Sequence, residues 1–194
     1  MPLSPPQQRK LLTAVVVLAV SVGGGWLWSQ ASEPTLDARL TTPGEVPYPS
    51  IATNSAVAGT SLPQASLLTL DNKTVDSTTF IGKPLILNFW YSTCEPCRRE
   101  MPVLAASAAT RSSTVRFIGV NMNDSVETAT AFAEKYNVLY DIMFDPSGLF
   151  ISTLGIGTAP MTLFVDARGI IVDQVAGEIS ADKLESLITK WFSQ

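Results

Sequence analysis

The segment Leu85-Ile86-Leu87-Asn88-Phe89-Trp90 is almost entirely apolar and ends four residues before the first of two cysteines, Cys94 and Cys97. An apolar run of this length is typical of a strand that is covered on both faces, as in the centre of an α/β sheet. The residues that follow Cys97 have a helical composition to about Ala109. The order of strand, turn, cysteine pair and helix therefore predicts a thiol centre at a strand-to-helix junction.

The rest of the region from 58 to 194 alternates between strand-like and helix-like patterns. An Asp71-Asn72 turn predicts a hairpin, and a second hairpin is predicted around Asp166-Ala167-Arg168-Gly169. Asp124 and Glu127 have the spacing of a capping box, and Ser180 is a candidate cap for a closing helix. These patterns predict an α/β domain with a mixed central sheet, an N-terminal β-hairpin and helices on both faces. The predicted strands are 65–70, 73–75, 85–90, 114–122, 142–144, 161–165 and 170–175, and the helices end near 109, 136, 154 and 192.

Composition excludes several classes of chemistry. The chain has 194 residues, two cysteines and no histidine, so we predict no metal site and no Ser-His or Cys-His catalysis. Beyond residue 10 there are 11 basic and 17 acidic residues, a net charge of −6. Nucleic-acid binding depends on clustered Lys and Arg, so we expect no nucleic-acid partner.

The N-terminal region has the composition of a membrane-targeting segment. The 22 residues from Leu11 to Ser32 carry no charge, and Arg9 and Lys10 precede them. We predict a cytoplasmic N-terminus at 1–10, a transmembrane signal anchor at 11–28 and an extracytoplasmic linker rich in Pro, Ser and Thr at 29–57. A cleaved signal peptide is the alternative, because small residues at 29–31 could form a cleavage site. In both cases the domain at 58–194 lies outside the cytoplasm.

The two cysteines are spaced to form a reversible disulfide. At the start of a helix, unsatisfied N–H groups favour negative charge, so we expect a lowered pKa for the Cys94 thiol. Cys97 lies one turn further along the helix and is expected to be more buried and less reactive. Two alternatives stay open from the residues alone: a structural disulfide, and half of a metal site completed by carboxylates or a second chain.

The residues from Asn88 to Pro102, which include the Cys-Glu-Pro-Cys motif, and the residues from Gly157 to Asp166 resemble the TlpA/ResA-like (DsbE/CcmG-like) thioredoxin-fold proteins. The resemblance covers about residues 58–194 and implies a thioredoxin-like fold. It also implies a cis peptide bond before Pro160, backbone groups of Ala159 that face a substrate, and a buried acid at Glu100 that relays protons. Glu95 and Pro96 match the residues that this group has between its cysteines. Thr93 departs from the family, which usually has tryptophan there.

The resemblance implies a membrane-tethered, extracytoplasmic thiol–disulfide oxidoreductase of bacterial origin. We expect Cys94 and Cys97 to reduce client protein disulfides, for example in the maturation of cytochrome c or another metalloprotein. A membrane thiol electron donor would recharge a monomeric protein that needs no cofactor beyond its own redox-active disulfide. The alternatives are a disulfide-forming oxidase of the same fold, a thiol-based metal chaperone, a peroxiredoxin-like peroxidase and a scaffold whose disulfide never exchanges.

Overall fold

A computed structural model describes residues 5–31 and 54–193 and divides the chain into two compact units, 1–49 and 50–194. In the first unit, helix α1 extends over Pro5–Ala31 and contains the segment 11–28 that we predicted as an anchor. Within the described ranges, no helix is both long and apolar enough to cross a membrane. The predicted anchor is therefore not confirmed. Most of the predicted linker, 32–53, lies outside the described residues.

The second unit is built on one seven-stranded sheet with the strand order β2-β1-β5-β4-β3-β6-β7. The interior strand β3 runs parallel to β4 and antiparallel to β6, so the sheet is mixed, as predicted. The β1–β2 and β6–β7 hairpins form its two edges. The strands are β1 Ser66–Thr69, β2 Thr74–Asp76, β3 Leu85–Trp90, β4 Arg116–Asn121, β5 Asp141–Phe144, β6 Met161–Val165 and β7 Ile171–Ala176, and the helices are α2 Glu95–Arg111, α3 Val126–Lys135, α4 Leu149–Thr153 and α5 Ala181–Phe192.

Strand β3 is buried along its whole length because both of its faces are covered. Successive side chains of a strand point to opposite faces. Leu85, Leu87 and Phe89 accordingly join a core with Phe150 of α4, whereas Ile86 joins a second core. That second core contains apolar residues of α2 and α5, so helices cover both faces of the sheet, as predicted. The buried residues of α2 and α5 in this second core are Leu104, Ala108, Leu184, Leu187 and Ile188.

Two local predictions differ from the structure. Helix α3 begins after Ser125, whose side chain accepts a hydrogen bond from the Thr128 N–H, so the predicted cap at Asp124 is wrong. The Asp124 carboxylate instead accepts hydrogen bonds from Ser92. The second difference concerns the predicted boundary between linker and domain at residue 57. Residues on its linker side already belong to the folded part, since Asn54 forms a β-bridge with Ile156 and Val57 is buried.

Candidate active site

The two cysteines are joined in a disulfide at the first turn of α2. Cys94 is the N-cap residue of this helix, and the Cys97 N–H donates to its sulfur over 3.2 Å. Pro96 suits this position because the first turn of a helix needs no hydrogen bond from its N–H groups. The sulfur bond is 2.01 Å long, and the two Cα atoms are 5.2 Å apart. The helix start therefore supplies the site with its backbone dipole as well as with its sulfur atoms.

The two cysteines differ in burial, as predicted. Cys94 retains 4% of its surface exposed and Cys97 none. Both pack in a cluster with Trp90, which ends β3 and stacks on Phe132 of α3 at 4.7 Å between ring centroids. Cys94 is thus the less buried of the two cysteines.

The loop before β6 lies against this cluster. The Ala159–Pro160 peptide bond is cis, as the resemblance implied, and half-buried Ala159 packs on the cluster that contains both cysteines. The side chain of Glu95, in contrast, is exposed and forms ion pairs with Arg98 and Arg99 at 3.5 and 3.8 Å. The structure therefore brings Cys94, Cys97 and Ala159 together and leaves the Glu95 carboxylate at the surface.

Glu100 is wholly buried, one helical turn after Cys97 on α2. Its Oε1 accepts a hydrogen bond from Asn88 Nδ2 at 2.8 Å, and its Oε2 accepts one from the Ile179 N–H at 2.9 Å. Residues three apart lie on one face of a helix. The carboxyl group is therefore on the helix face that carries Cys97, held between β3 and the loop that leads into α5.

Burial raises the pKa of Glu100 to about 7, although the hydrogen bonds from Ile179 and Asn88 favour its charged form. The nearby Glu178 carboxylate raises this pKa further. A carboxyl group with a pKa near neutrality can both take up and release a proton at physiological pH. That property is the one that a proton relay to a buried thiol requires.

Asn88 makes the second half of this network. Its Nδ2 donates to Glu100 and, at 3.1 Å, to Thr162 Oγ1 on β6, whereas its buried Oδ1 has no hydrogen-bond partner among the described residues. An amide can turn over so that its oxygen and nitrogen exchange places. Protonated Glu100 could then donate to Asn88 Oδ1, so the pair accommodates both states of the carboxyl group.

The comparisons with known proteins agree with the geometry of this site. The family model described as the AhpC/TSA family matches residues 58–174. The chain belongs to the AhpC/TSA family. This family member is 26% identical over 133 residues to the thiol-disulfide oxidoreductase ResA of Bacillus thuringiensis (strain Al Hakam). The aligned region is 68% of this chain and 77% of ResA.

Two solved structures share the fold of this AhpC/TSA-family chain. MTB DsbF is 34% identical, with a TM-score of 0.61 over 66% of this chain and 94% of DsbF. A DsbE-type thiol:disulfide interchange protein of Chlorobium tepidum is 26% identical, with a TM-score of 0.63 over 70% and 98% of the two chains. The identification as a TlpA/ResA-like thioredoxin-fold protein is thus confirmed, and the chain is a thiol–disulfide oxidoreductase.

One contact beside the disulfide was not predicted from the sequence. Asp124 accepts hydrogen bonds from the Ser92 N–H and hydroxyl, at 2.7 and 2.6 Å, and from Asn121 Nδ2 at 2.7 Å. This carboxylate fixes the turn that carries Thr93 to Cys94. Because β3 and β4 are parallel, the loops after them leave from the same edge of the sheet. Polar residues just after β3 and β4, Ser92 and Asp124 among them, were the sequence signal that could have predicted the contact.

Proposed function

We propose that this oxidoreductase acts as a reductant of client protein disulfides outside the cytoplasm. The observation that carries the proposal is the asymmetry of the disulfide: Cys94 is the N-cap of α2 and keeps 4% of its surface exposed, and Cys97 beside it is wholly buried. This arrangement supports one sulfur that meets the client and one that resolves the intermediate.

The proposed cycle starts from the dithiol. The Cys94 thiolate attacks one sulfur of a client disulfide, forms a mixed disulfide and releases the other client sulfur as a thiolate. Cys97 then loses its proton and attacks the Cys94 sulfur, which releases the second client thiol and restores the Cys94–Cys97 disulfide. Two electrons pass to the client, and a membrane dithiol donor returns two electrons to the enzyme.

Glu100 is the proposed proton acceptor for Cys97. Its burial, its position one turn after Cys97 and its pKa near 7 support this role. Ala159 and Pro160 are proposed to meet the extended client segment, because Ala159 packs on the cluster that contains both cysteines. Glu95 and Pro96 are proposed to shape the rim around Cys94.

The location belongs to the same proposal. The uncharged run 11–32 after Arg9 and Lys10 supports tethering to the cell membrane with the C-terminal domain outside, whereas a cleaved leader would give a secreted domain. The tethered protein is proposed to be a monomer. Fractionation of cells that express the full chain tests the tether. The mass of the mature protein decides whether the leader is removed. Apoproteins of cytochrome c or other metalloproteins are the proposed clients.

The reduction potential of the Cys94–Cys97 pair tests the direction of the reaction. The full-length protein, in detergent solution, is equilibrated against defined dithiol buffers. A value at or below about −250 mV supports a reductant, and a value near −120 mV identifies an oxidase instead.

A pair of single-cysteine variants tests the roles of the two sulfurs. We expect C97S to accumulate a mixed disulfide with clients and its matched control C94S to accumulate none. Equal trapping by both variants would contradict the assignment. If C97S consumed peroxide and C94S did not, the protein would be a peroxidase, and if neither variant trapped any client, the disulfide would be structural.

A further inference from the structure

The side chain of Asn54 is bound to the loop that precedes Pro160. Its Oδ1 accepts hydrogen bonds from the N–H groups of Gly157 and Thr158, both at 2.9 Å. Its Nδ2 donates to the Thr158 carbonyl oxygen at 3.2 Å and lies 3.8 Å from the sulfur of Met161. One amide group therefore holds three backbone groups of two successive residues.

The backbone around Asn54 keeps this side chain in place. Asn54 forms a β-bridge with Ile156, and the Ser55 N–H donates to the Gly155 carbonyl oxygen at 2.8 Å. Gly155 has a φ of +60°, and a Cβ atom there would lie 2.1 Å from the Ser55 hydroxyl oxygen. Only glycine allows this close approach, so the segment that carries Asn54 fits directly against the loop.

The held residues are next to the proposed client contact. Gly157 and Thr158 are exposed, and the following residue, Ala159, packs on the cluster with Cys94 and Cys97. Gly157 has no side chain that could fix its own backbone, and an unheld glycine has the largest conformational freedom of any residue. The three hydrogen bonds that Asn54 forms, two as acceptor and one as donor, order this backbone before a client arrives, so that binding does not have to do so.

We propose that Asn54 is a positioning residue for client recognition: it presets the 157–159 loop in the shape that accepts an extended client segment beside Cys94. This inference rests on the proposed contact between clients and Ala159. Asn54 has no part in the sulfur chemistry itself. Its loss is therefore expected to weaken peptide binding and to leave the reactivity of the disulfide unchanged.

The test compares two disulfides that release the same thionitrobenzoate and differ in their other half, which is a cysteine peptide in one and a second thionitrobenzoate in the other. Full-length protein with C97S reacts with a cysteine peptide activated as its thionitrobenzoate disulfide, or with DTNB, and released thionitrobenzoate is followed. The Cys94 thiolate forms the new disulfide and thionitrobenzoate leaves, so the reaction needs no further oxidant or reductant. We expect N54A to raise the half-saturating peptide concentration about tenfold, with the maximal rate and the DTNB rate unchanged.

Gln174 provides the matched control. Its side chain accepts from the N–H groups of Val57 and Ala58 and donates to the Ser55 carbonyl oxygen, so it holds the same N-terminal segment through hydrogen bonds that do not reach the loop. We expect Q174A to leave both substrates unaffected. N54D keeps the acceptor for the Gly157 and Thr158 N–H groups but sets a carboxylate oxygen, in place of the amide donor, against the Thr158 carbonyl oxygen. We expect N54D to lose peptide affinity, though less than N54A.

Three outcomes would overturn the inference: equal effects of N54A and Q174A, equal effects on the peptide and on DTNB, or no effect of N54A. Amide hydrogen exchange supplies an independent readout, since N54A should speed exchange at Gly157 and Thr158 and Q174A should not. If N54A fails to fold, N54D is compared with the parent protein in its place. A peptide rate that never saturates in the parent C97S protein would contradict the proposed client contact instead, and amide exchange would then decide whether Asn54 orders the loop.

Discussion

Replacing Glu100 with glutamine is expected to change the way in which stability depends on pH. Burial raises the pKa of Glu100 from 4.5 to about 7 in the folded protein. A rise of that size corresponds to a free-energy penalty of about 3 kcal/mol for carrying the charged carboxylate in the folded state. Glu100 is wholly buried, so this penalty needs little correction for screening by solvent.

The sign follows from which state holds the proton. Below pH 4.5 Glu100 is protonated in both the folded and the unfolded chain, and it adds no pH dependence. Between pH 4.5 and 7 the unfolded chain loses the proton and the folded chain keeps it, so the free energy of unfolding falls as pH rises. Above pH 7 the whole penalty is present. Glu100 therefore makes the wild-type protein about 3 kcal/mol less stable at pH 8.5 than it would be without this charge.

Glutamine imitates the protonated carboxyl group. Its oxygen can accept from the Ile179 N–H, and its NH₂ can donate to Asn88 Oδ1 once the Asn88 amide has turned over, since Asn88 Nδ2 faces this position in the structure. We expect E100Q to be about 3 kcal/mol more stable than wild type at pH 8.5 and close to wild type at pH 4.5. The same substitution is expected to slow resolution of the mixed disulfide and to remove the pH dependence of that step near pH 7.

Urea unfolding of the oxidised proteins, followed by tryptophan fluorescence at pH 4.5 and 8.5, measures the effect. The difference between wild type and E100Q isolates Glu100, because all other carboxyl groups are common to both. E134Q, on the exposed surface of α3, is the matched control and is expected to follow wild type at both pH values. Parallel stability curves for wild type and E100Q would refute the reasoning, since Glu100 would then ionise in its ordinary range.

Three further substitutions test other parts of the structure. D124N leaves the donors of Ser92 without their charged acceptor; we expect a loss of about 1–3 kcal/mol in urea unfolding and slower attack by Cys94 on DTNB, with S92A as the milder variant. L187A opens a cavity under α5, where Leu187 is 3% exposed, and is expected to cost about 2–5 kcal/mol, whereas L139A, at a residue that is 87% exposed, should change stability by less than about 0.5 kcal/mol. S180A removes the cap of α5 and is expected to cost about 1 kcal/mol; a melting temperature equal to that of wild type would contradict the cap.

Local patterns were sufficient for most of the fold. The apolar run 85–90, the two hairpin turns and the Ser180 cap all predicted elements that the structure contains, because each rests on residues near one another in sequence. The cap at Asp124 was predicted wrongly for a related reason. Asp124 and Ser125 both have suitable side chains, and only the contact of Asp124 with Ser92 decides which of them caps α3.

The candidate active site likewise has some properties that the sequence predicts and others that depend on tertiary contacts. The spacing of Cys94 and Cys97 and their place between a strand and a helix are properties of the sequence, and they sufficed to predict a disulfide with one outer and one inner sulfur. The environment of Glu100 is not such a property, since its pKa depends on burial and on donors from Asn88 and Ile179, which are 12 and 79 residues away. Asn54 is a still clearer case, because it lies 103 residues before the loop that it holds. Sequence determined the reactive group by local spacing, and tertiary structure determined how that group is tuned and presented, because charge, burial and backbone order depend on residues that only folding brings together.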